Sequence, residues 1–385
     1  MNQVDHHRLR VFVLIDALGW SYLQGRKFLE NELPYRVPLR TVLGFSSGAI
    51  PTILTGVPPA QNGHWNLFYL DAEHSPFRWL RHFGFLPDAV LNHRITTKLL
   101  KELGRRVLGL GPGFECYVAP RFLPWFNFVE KRNIYQRGGI TGAPSIFDDL
   151  ARADVPYRAY SYHTLTDEQI LLRASEDLKS GAARFFFLYL SEMDAFLHLH
   201  CNEPEQVDRR LAWYGARLSE LFELARKIDP DASLTVLSDH GMTPVRSHHD
   251  LVADVNRLGF GMPADYLAVY DSTMARFWFF NAEARSRIGQ LLDGLSFGRI
   301  LPDNELRALG ILFPDRRYGE LIFLLNPGWL IAESNFNGHG WMPLGMHGYH
   351  PDDSYSSGVF LSDRAPREAP QTNRDVYRCM REACS

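Results

Sequence analysis

The chain is poor in cysteine, in long apolar runs and in net charge, and each shortage removes a class of protein. Its four cysteines, Cys116, Cys201, Cys379 and Cys384, show no CxxC spacing and no dense framework in 385 residues. Neither a zinc ribbon nor a disulfide scaffold is therefore expected, and a reducing compartment, the cytoplasm, is. With 41 Lys and Arg against 44 Asp and Glu the formal charge is −3, so no global field argues for nucleic acid as a partner. At the N-terminus only VFVLI separates the polar residues 7–10 from Asp16, too little for a signal-peptide core and far too little for a transmembrane segment. Internal repeats and low-complexity tracts are also missing.

What is present suits one large globular enzyme. A hydrophobic content of 45% is enough to bury a sizeable core. Strand-like and helical stretches alternate. Residues 10–15, 157–162, 185–190 and 234–237 read as buried strands, and 145–153 as a helix. Helical spacing runs through Leu211, Leu218, Leu221 and Phe222 in 205–227. Such alternation predicts an α/β fold, a doubly wound and mostly parallel sheet with helices on both faces. In sheets of this kind ligands sit beyond the carboxyl ends of the strands.

The charge is unevenly spread. Between residues 75 and 136 ten Lys and Arg face four acids, and the rest of the chain is acidic. Residues 67–139 interrupt the alternation and are rich in Phe, Trp, Pro and Gly; they read as a cap inserted into a single catalytic domain spanning 8–385. The stretches PFRWLRHFGFLP and PRFLPWFNFVEKR interleave aromatics with arginine. Three readings stay open: a substrate-specificity element that stacks on a base or holds a lipid chain while guanidinium groups meet phosphate, a cap whose aromatics pack on one another, or a peripheral surface for anionic membrane.

Three segments run an apolar strand straight into a carboxylate: VFVLID ending at Asp16, FFFLYLSEMD at Asp194 and LTVLSD at Asp239. Imidazoles follow two of them. Asp194 and His198 stand at i,i+4 spacing, on one face if the chain turns helical there. Asp239 and His240 leave the sheet together, and GMHGYHPDD holds His347 and His350. Singly each has a plain structural reading, as a surface hydrogen bond, a helix N-cap or a turn residue; jointly they suit a pair of cations.

These segments, with FSSGAIPTILTGVPPAQNGHWN and the tail TNRDVYRCMREACS, resemble the alkaline phosphatase superfamily, in its type I phosphodiesterase/nucleotide pyrophosphatase branch. The resemblance covers the core from about residue 8 to the end, with 67–139 and 259–336 poorly matched. It implies that Asp16, Asp239 and His240 hold one metal together with the nucleophile, and that Asp194, His198 and His347 hold the second. Three carboxylates and three imidazoles fit zinc or manganese better than calcium, and two zinc ions are what the resemblance implies.

By the same resemblance the nucleophile lies nine residues before the Thr of a T-G turn, at a helix start. Counting back from Thr55 reaches Ser46, with Ser47 as the alternative. A serine needs a cation to stabilise its alkoxide, and a helix N-terminus adds N–H groups for phosphoryl oxygens. The branch carries Thr-Phe-Pro-Asn here, which this chain lacks. Asn66 stands one register from an Asn that contacts a phosphoryl oxygen in the branch. His200, His248, His249 and His350 are expected outside the ligand set, with His350 in reserve for His347. The expected function is metal-dependent hydrolysis of a small phosphate ester, nucleotide or lipid-linked, through a phosphoserine, with diesters ahead of monoesters. The alternatives are a phosphomonoesterase, a phosphoryl or head-group transferase, and a catalytically silent binding module. A sulfatase is disfavoured, because neither Pro nor Arg follows Ser46 at the required spacing.

Overall fold

A computed structural model describes residues 8–110, 114–116, 118–161, 165–335 and 341–382; Cys384 lies outside them, and Cys116, Cys201 and Cys379 are free thiols. In chain order the strands that matter are β1 (Arg10–Ile15), β2 (Tyr35–Leu39), β3 (Tyr157–Tyr160), β4 (Phe185–Leu190), β5 (Ser233–Leu237), β6 (Tyr266–Asp271), β7 (Met274–Phe279), β8 (Gly298–Ile300), β9 (Leu321–Leu325) and β10 (Gly358–Ser362). The central sheet has the order β2-β10-β5-β1-β4-β3. Its strands β3, β4, β1 and β5 are parallel, and β10 runs antiparallel to both β5 and β2. The expected α/β class is what the chain adopts.

Period-two alternation explains why this sheet is covered twice. Val11, Val13 and Ile15 of β1 join a core with Leu171 and Leu178 of the helix Asp167–Ser180 and with Leu211 and Leu218 of the helix Pro204–Ile228. Phe12 and Leu14 point the other way, into Ile50 and Ile53 of the helix Ser46–Thr55, Phe147 of Ile146–Arg152 and Met380 of Asp375–Glu382. Helix starts follow local chemistry. Ser145 and Asp148 form a reciprocal capping box at Ile146–Arg152, as Thr166 and Gln169 do at Asp167–Ser180.

The sequence pattern did not reveal the antiparallel sheet β6-β7-β9-β8. It supplies the floor for the aromatic insertion. Phe68–Leu70 pairs with Phe126–Phe128, and Phe68, Phe77, Phe114, Phe126 and Phe128 share a buried cluster with Leu267, Val269 and Trp278 of β6 and β7. The fully buried Arg276 of β7 meets Asp271 at 2.7 Å and donates to the Phe68 carbonyl at 3.0 Å. Half of the insertion's described aromatic side chains are thus buried core, while Trp79, Phe83 and Phe85 stay exposed.

Register places the site. Ile15 is level with Leu190, and Leu14 with Leu237, so the loops after β1, β4 and β5 leave one edge of the sheet side by side. Two glycines let the first and third cross. A Cβ at Gly241 would fall 2.1 Å from the Tyr355 carbonyl oxygen and 3.1 Å from Gly19 Cα. Because these neighbours are backbone, Gly241→Ala is expected to cost on the order of 2 kcal/mol or more. By contrast Gly289→Ala, within the helix Ala282–Asp293 and with nothing within 4 Å, should be neutral or stabilise by up to about 1 kcal/mol. Thermal melts of the two variants test this; equal Tm values would contradict the close crossing.

Candidate metal and phosphoryl site

Asp16, Asp239 and His240 converge at the carboxyl ends of β1 and β5, and Asp194 and His198 reach the same place from the helix Glu192–His200 that follows β4. One ligand-type atom from each of Asp16, Asp239 and His240 lies within 4.8 Å of the others, and the same holds for Asp194, His240 and His347. Ala17, next to Asp16, sits in the left-handed region at φ 59° and sends its N–H to Asp239 Oδ1 at 3.4 Å. A non-glycine residue there is strained, and such strain gathers where geometry is imposed by a site.

Ser46 is the first helical residue after the N-cap Phe45. Its Oγ lies 3.0 Å from His240 Nε2 and 3.5 Å from Asp16 Oδ1. Ser47 instead is buried and donates to the Trp65 carbonyl at 3.3 Å. Of the two serines, the structure brings Ser46 to the cluster. Gly48 packs directly on Trp65, where a Cβ would meet the Trp65 carbonyl at 2.7 Å, and this contact sets the depth of the helix start.

The imidazoles are held in one tautomer by the chain itself. His240 Nδ1 faces the Gly241 carbonyl at 2.9 Å and His198 Nδ1 the Gly345 carbonyl at 2.8 Å. Each ring therefore donates from Nδ1 and turns the Nε2 lone pair inward, the arrangement of a metal-ligating histidine. His198 Nε2 and His347 Nε2 each lie 3.4 Å from an Asp194 oxygen. The His240 and His347 rings stack at 3.9 Å, with Phe45 edge-on to His347 and Trp341 edge-on to His198.

Burial and neighbouring charge pull the groups of this cluster in opposite directions. Burial, then the Asp239 and Asp194 charges, push the Asp16 carboxyl well above the usual carboxylate range. Burial opposes ionisation of Asp194 too, yet His198, His347 and His240 together hold its carboxyl well below that range. His347 is driven well below its ordinary value by burial and by the facing His240, so it stands neutral, as a ligand must. Asp239 Oδ2, Asp194 Oδ1 and His347 Nδ1 are buried with no hydrogen-bond partner. Buried polar atoms without partners are costly, and buried carboxylates crowded with inward lone pairs are the donor set of a divalent cation.

Of the four histidines expected outside the ligand set, His200 faces Glu203, His249 faces Asp254 and His350 lies 3.2 Å from Glu305, and His248 is the exposed residue of the strand Ser247–His249. Asn66 is buried beside Trp65. Its Oδ1 accepts the Leu67 N–H, and its side chain also helps stabilise the Asp271 carboxylate that pairs with Arg276, so it is engaged with the second sheet, and among the described residues no hydrogen bond joins it to the cluster. Two contributors escaped the sequence reading. Tyr189 donates its hydroxyl to Asp16 Oδ2, but it lies in the apolar run of β4. Asn373 donates to the Asp239 carbonyl at 2.7 Å from the tail segment, whose resemblance to the family gave this residue no role of its own.

The type I phosphodiesterase / nucleotide pyrophosphatase family profile matches residues 11–350. The chain belongs to this family. It is accordingly a phosphoric ester hydrolase. Solved structures agree on the fold. Murine ectonucleotide pyrophosphatase/phosphodiesterase 5 aligns with a TM-score of 0.68 at 15% identity, covering 98% of this chain and 95% of that one. The human protein of the same name gives 0.70 at 13%, covering 98% and 94%. An inactive murine variant in complex with AMP gives 0.69 at 16%, covering 98% and 95%. No curated protein sequence matches significantly.

Tyr189→Phe tests the hydroxyl that donates to Asp16 Oδ2. Removing a single hydrogen bond to a buried carboxylate should lower kcat on the order of 10-fold with little change in fold. Turnover equal to wild type would contradict a role in holding Asp16.

Proposed function

We propose that this family member hydrolyses phosphodiesters in two displacement steps with Ser46 as nucleophile. The observation that carries the reading is the placement of Ser46 Oγ beside His240 Nε2 and Asp16 Oδ1, while Ser47 is turned into Trp65. Asp16, Asp239, His240 and Ser46 would hold one divalent cation and Asp194, His198 and His347 a second. Zinc suits the mixed oxygen and nitrogen donors, with manganese next, and such a pair supplies Lewis acidity toward the phosphoryl oxygens and the serine hydroxyl.

The residues themselves do the following. Tyr189 fixes one Asp16 oxygen, leaving Oδ1 toward Ser46. The helix ladder begins with the Gly48 and Ala49 amides bonding Phe45, which leaves the Ser46 and Ser47 amides for phosphoryl oxygens. In the first step Ser46 Oγ bonds phosphorus and loses its proton to solvent, while the P–O bond to the leaving alcohol breaks and that oxygen takes a proton. In the second, water adds to phosphorus and the Ser46 oxygen leaves, regaining a proton. The sum is diester plus water giving monoester plus alcohol.

Diesters rank ahead of monoesters because, among the described residues, no Lys or Arg hydrogen-bonds or ion-pairs with the cluster. A doubly charged terminal phosphoryl group would find no guanidinium clamp there. A nucleotide diester is the substrate class favoured by the family and by the AMP complex of the murine relative's variant.

Paired chromogenic substrates, bis(p-nitrophenyl) phosphate and p-nitrophenyl phosphate, test this directly. The diester should turn over faster, Ser46→Ala should lose at least about a thousandfold in kcat, and Ser47→Ala should lose little. Full activity in Ser46→Ala would remove the proposed nucleophile, and a faster monoester would reverse the substrate order.

A further inference from the structure

Seven of the thirteen exposed large hydrophobic side chains among the described residues fall between Trp79 and Val107, a stretch under a tenth of the chain. Phe85 is 79% exposed, Val107 71% and Leu99 65%, with Ile95, Phe83 and Trp79 beside them. Scattered apolar residues are normal on a surface, but a concentration of this kind marks an interaction face.

Packing explains why these side chains face outward. The helix Arg94–Arg106 buries Leu100 and Gly104. Gly104 sits hard on Phe114, where a Cβ would come within 2.7 Å of the ring. With that side fixed, Ile95, Leu99 and Arg106, spaced by four and seven residues, share the outer face. The 3-10 turn Arg78–Phe83 and the helix Asp88–Leu91 pack against the same Pro120–Trp125 turn as this helix. One continuous support thus carries all three pieces.

Cations are interleaved with the apolar residues. Arg78, Arg94 and Lys98 have no ion-pair partner among the described residues, Glu102 pairs with Arg106, and Glu115 pairs with Lys101 and Arg105. Elsewhere on the surface arginines are commonly paired, as Arg299 with Glu305 and Arg316 with Asp303. The segment 75–136 has six more basic than acidic residues, in a chain whose total is −3. No helix among the described residues is long and apolar enough to cross a membrane.

We propose that the face formed by residues 78–107 docks this protein onto a bilayer containing anionic lipid. Phe85, Ile95, Leu99 and Val107 enter the acyl boundary, and Arg78, Arg94 and Lys98 meet lipid phosphates at headgroup level. Unpaired cations beside exposed aromatic and aliphatic side chains are the composition that lies in a membrane interface. The same mixture disfavours a second copy of the chain, which would set these unpaired cations against one another.

Co-sedimentation of the full-length protein tests the proposal, using phosphatidylcholine vesicles with and without about a third phosphatidylserine. Wild type should partition onto the anionic vesicles and be released by salt. An R78Q/R94Q/K98Q variant should bind them on the order of 100-fold more weakly, and an F85S/I95S/L99S variant should lose binding at low salt as well. Both should keep wild-type turnover of a soluble chromogenic diester, which shows that they fold and separates this test from that of the catalytic reading. Equal binding to neutral and anionic vesicles, or no effect of either variant, would overturn the proposal. So would a wild-type dimer in gel filtration that F85S/I95S/L99S dissociates without lipid.

Discussion

Three aspartates that repel one another are forced together at the carboxyl edge of a parallel sheet, and much of the surrounding structure exists to hold them there. Asp16 and Asp239 leave adjacent strands at one level, and Asp194 follows from the next strand by half a turn of helix. Their mutual charge, with burial, drives the Asp16 carboxyl upward. The neighbouring imidazoles offset part of that repulsion at Asp194, but carboxylate and imidazole atoms remain with no hydrogen-bond partner. Like charges buried at such range are tolerated only when a counter-charge is supplied.

The supporting shell is built from backbone as much as from side chains. Carbonyls of Gly241 and Gly345 set the His240 and His198 tautomers. Thr41 and Asn373 both donate to the Asp239 carbonyl, tying the C-terminal segment to the loop after β5. The Gly19 and Gly241 crossing and the left-handed Ala17 show the same demand in the main chain. The second sheet holds the aromatic insertion through the Arg276 and Asp271 pair. That insertion buries one side and leaves the other both basic and apolar.

The central sheet was legible because its strands are continuous apolar runs ending in carboxylates; 10–15, 185–190 and 234–237 recur almost unchanged as β1, β4 and β5. Of the ligands implied by the resemblance, Asp16, Asp239 and His240 come together, Asp194 stands with His240 and His347, and His198 meets Asp194 at 3.4 Å; singly each also had a plain structural reading, and only their joint pattern pointed here. Serine is less informative. Ser46 and Ser47 are chemically equal in sequence, and only the contact of Ser47 with Trp65 separates them. Tyr189 escaped because an apolar pattern hides a hydroxyl, and β6 to β9 escaped because a short apolar run such as Leu321–Leu325 does not by periodicity distinguish a strand from a buried helix segment. His240 stands within reach of both candidate groups, beside Asp16 and Asp239 and beside Asp194 and His347.

The most direct test of the central claim is the cation content of the purified protein. Elemental analysis after equilibration with zinc should find about two cations per chain, and Asp194→Asn should retain about one while Asp16 and Asp239 keep theirs. A wild-type chain that retains no zinc, or an Asp194→Asn variant that retains as much as wild type, would contradict the account.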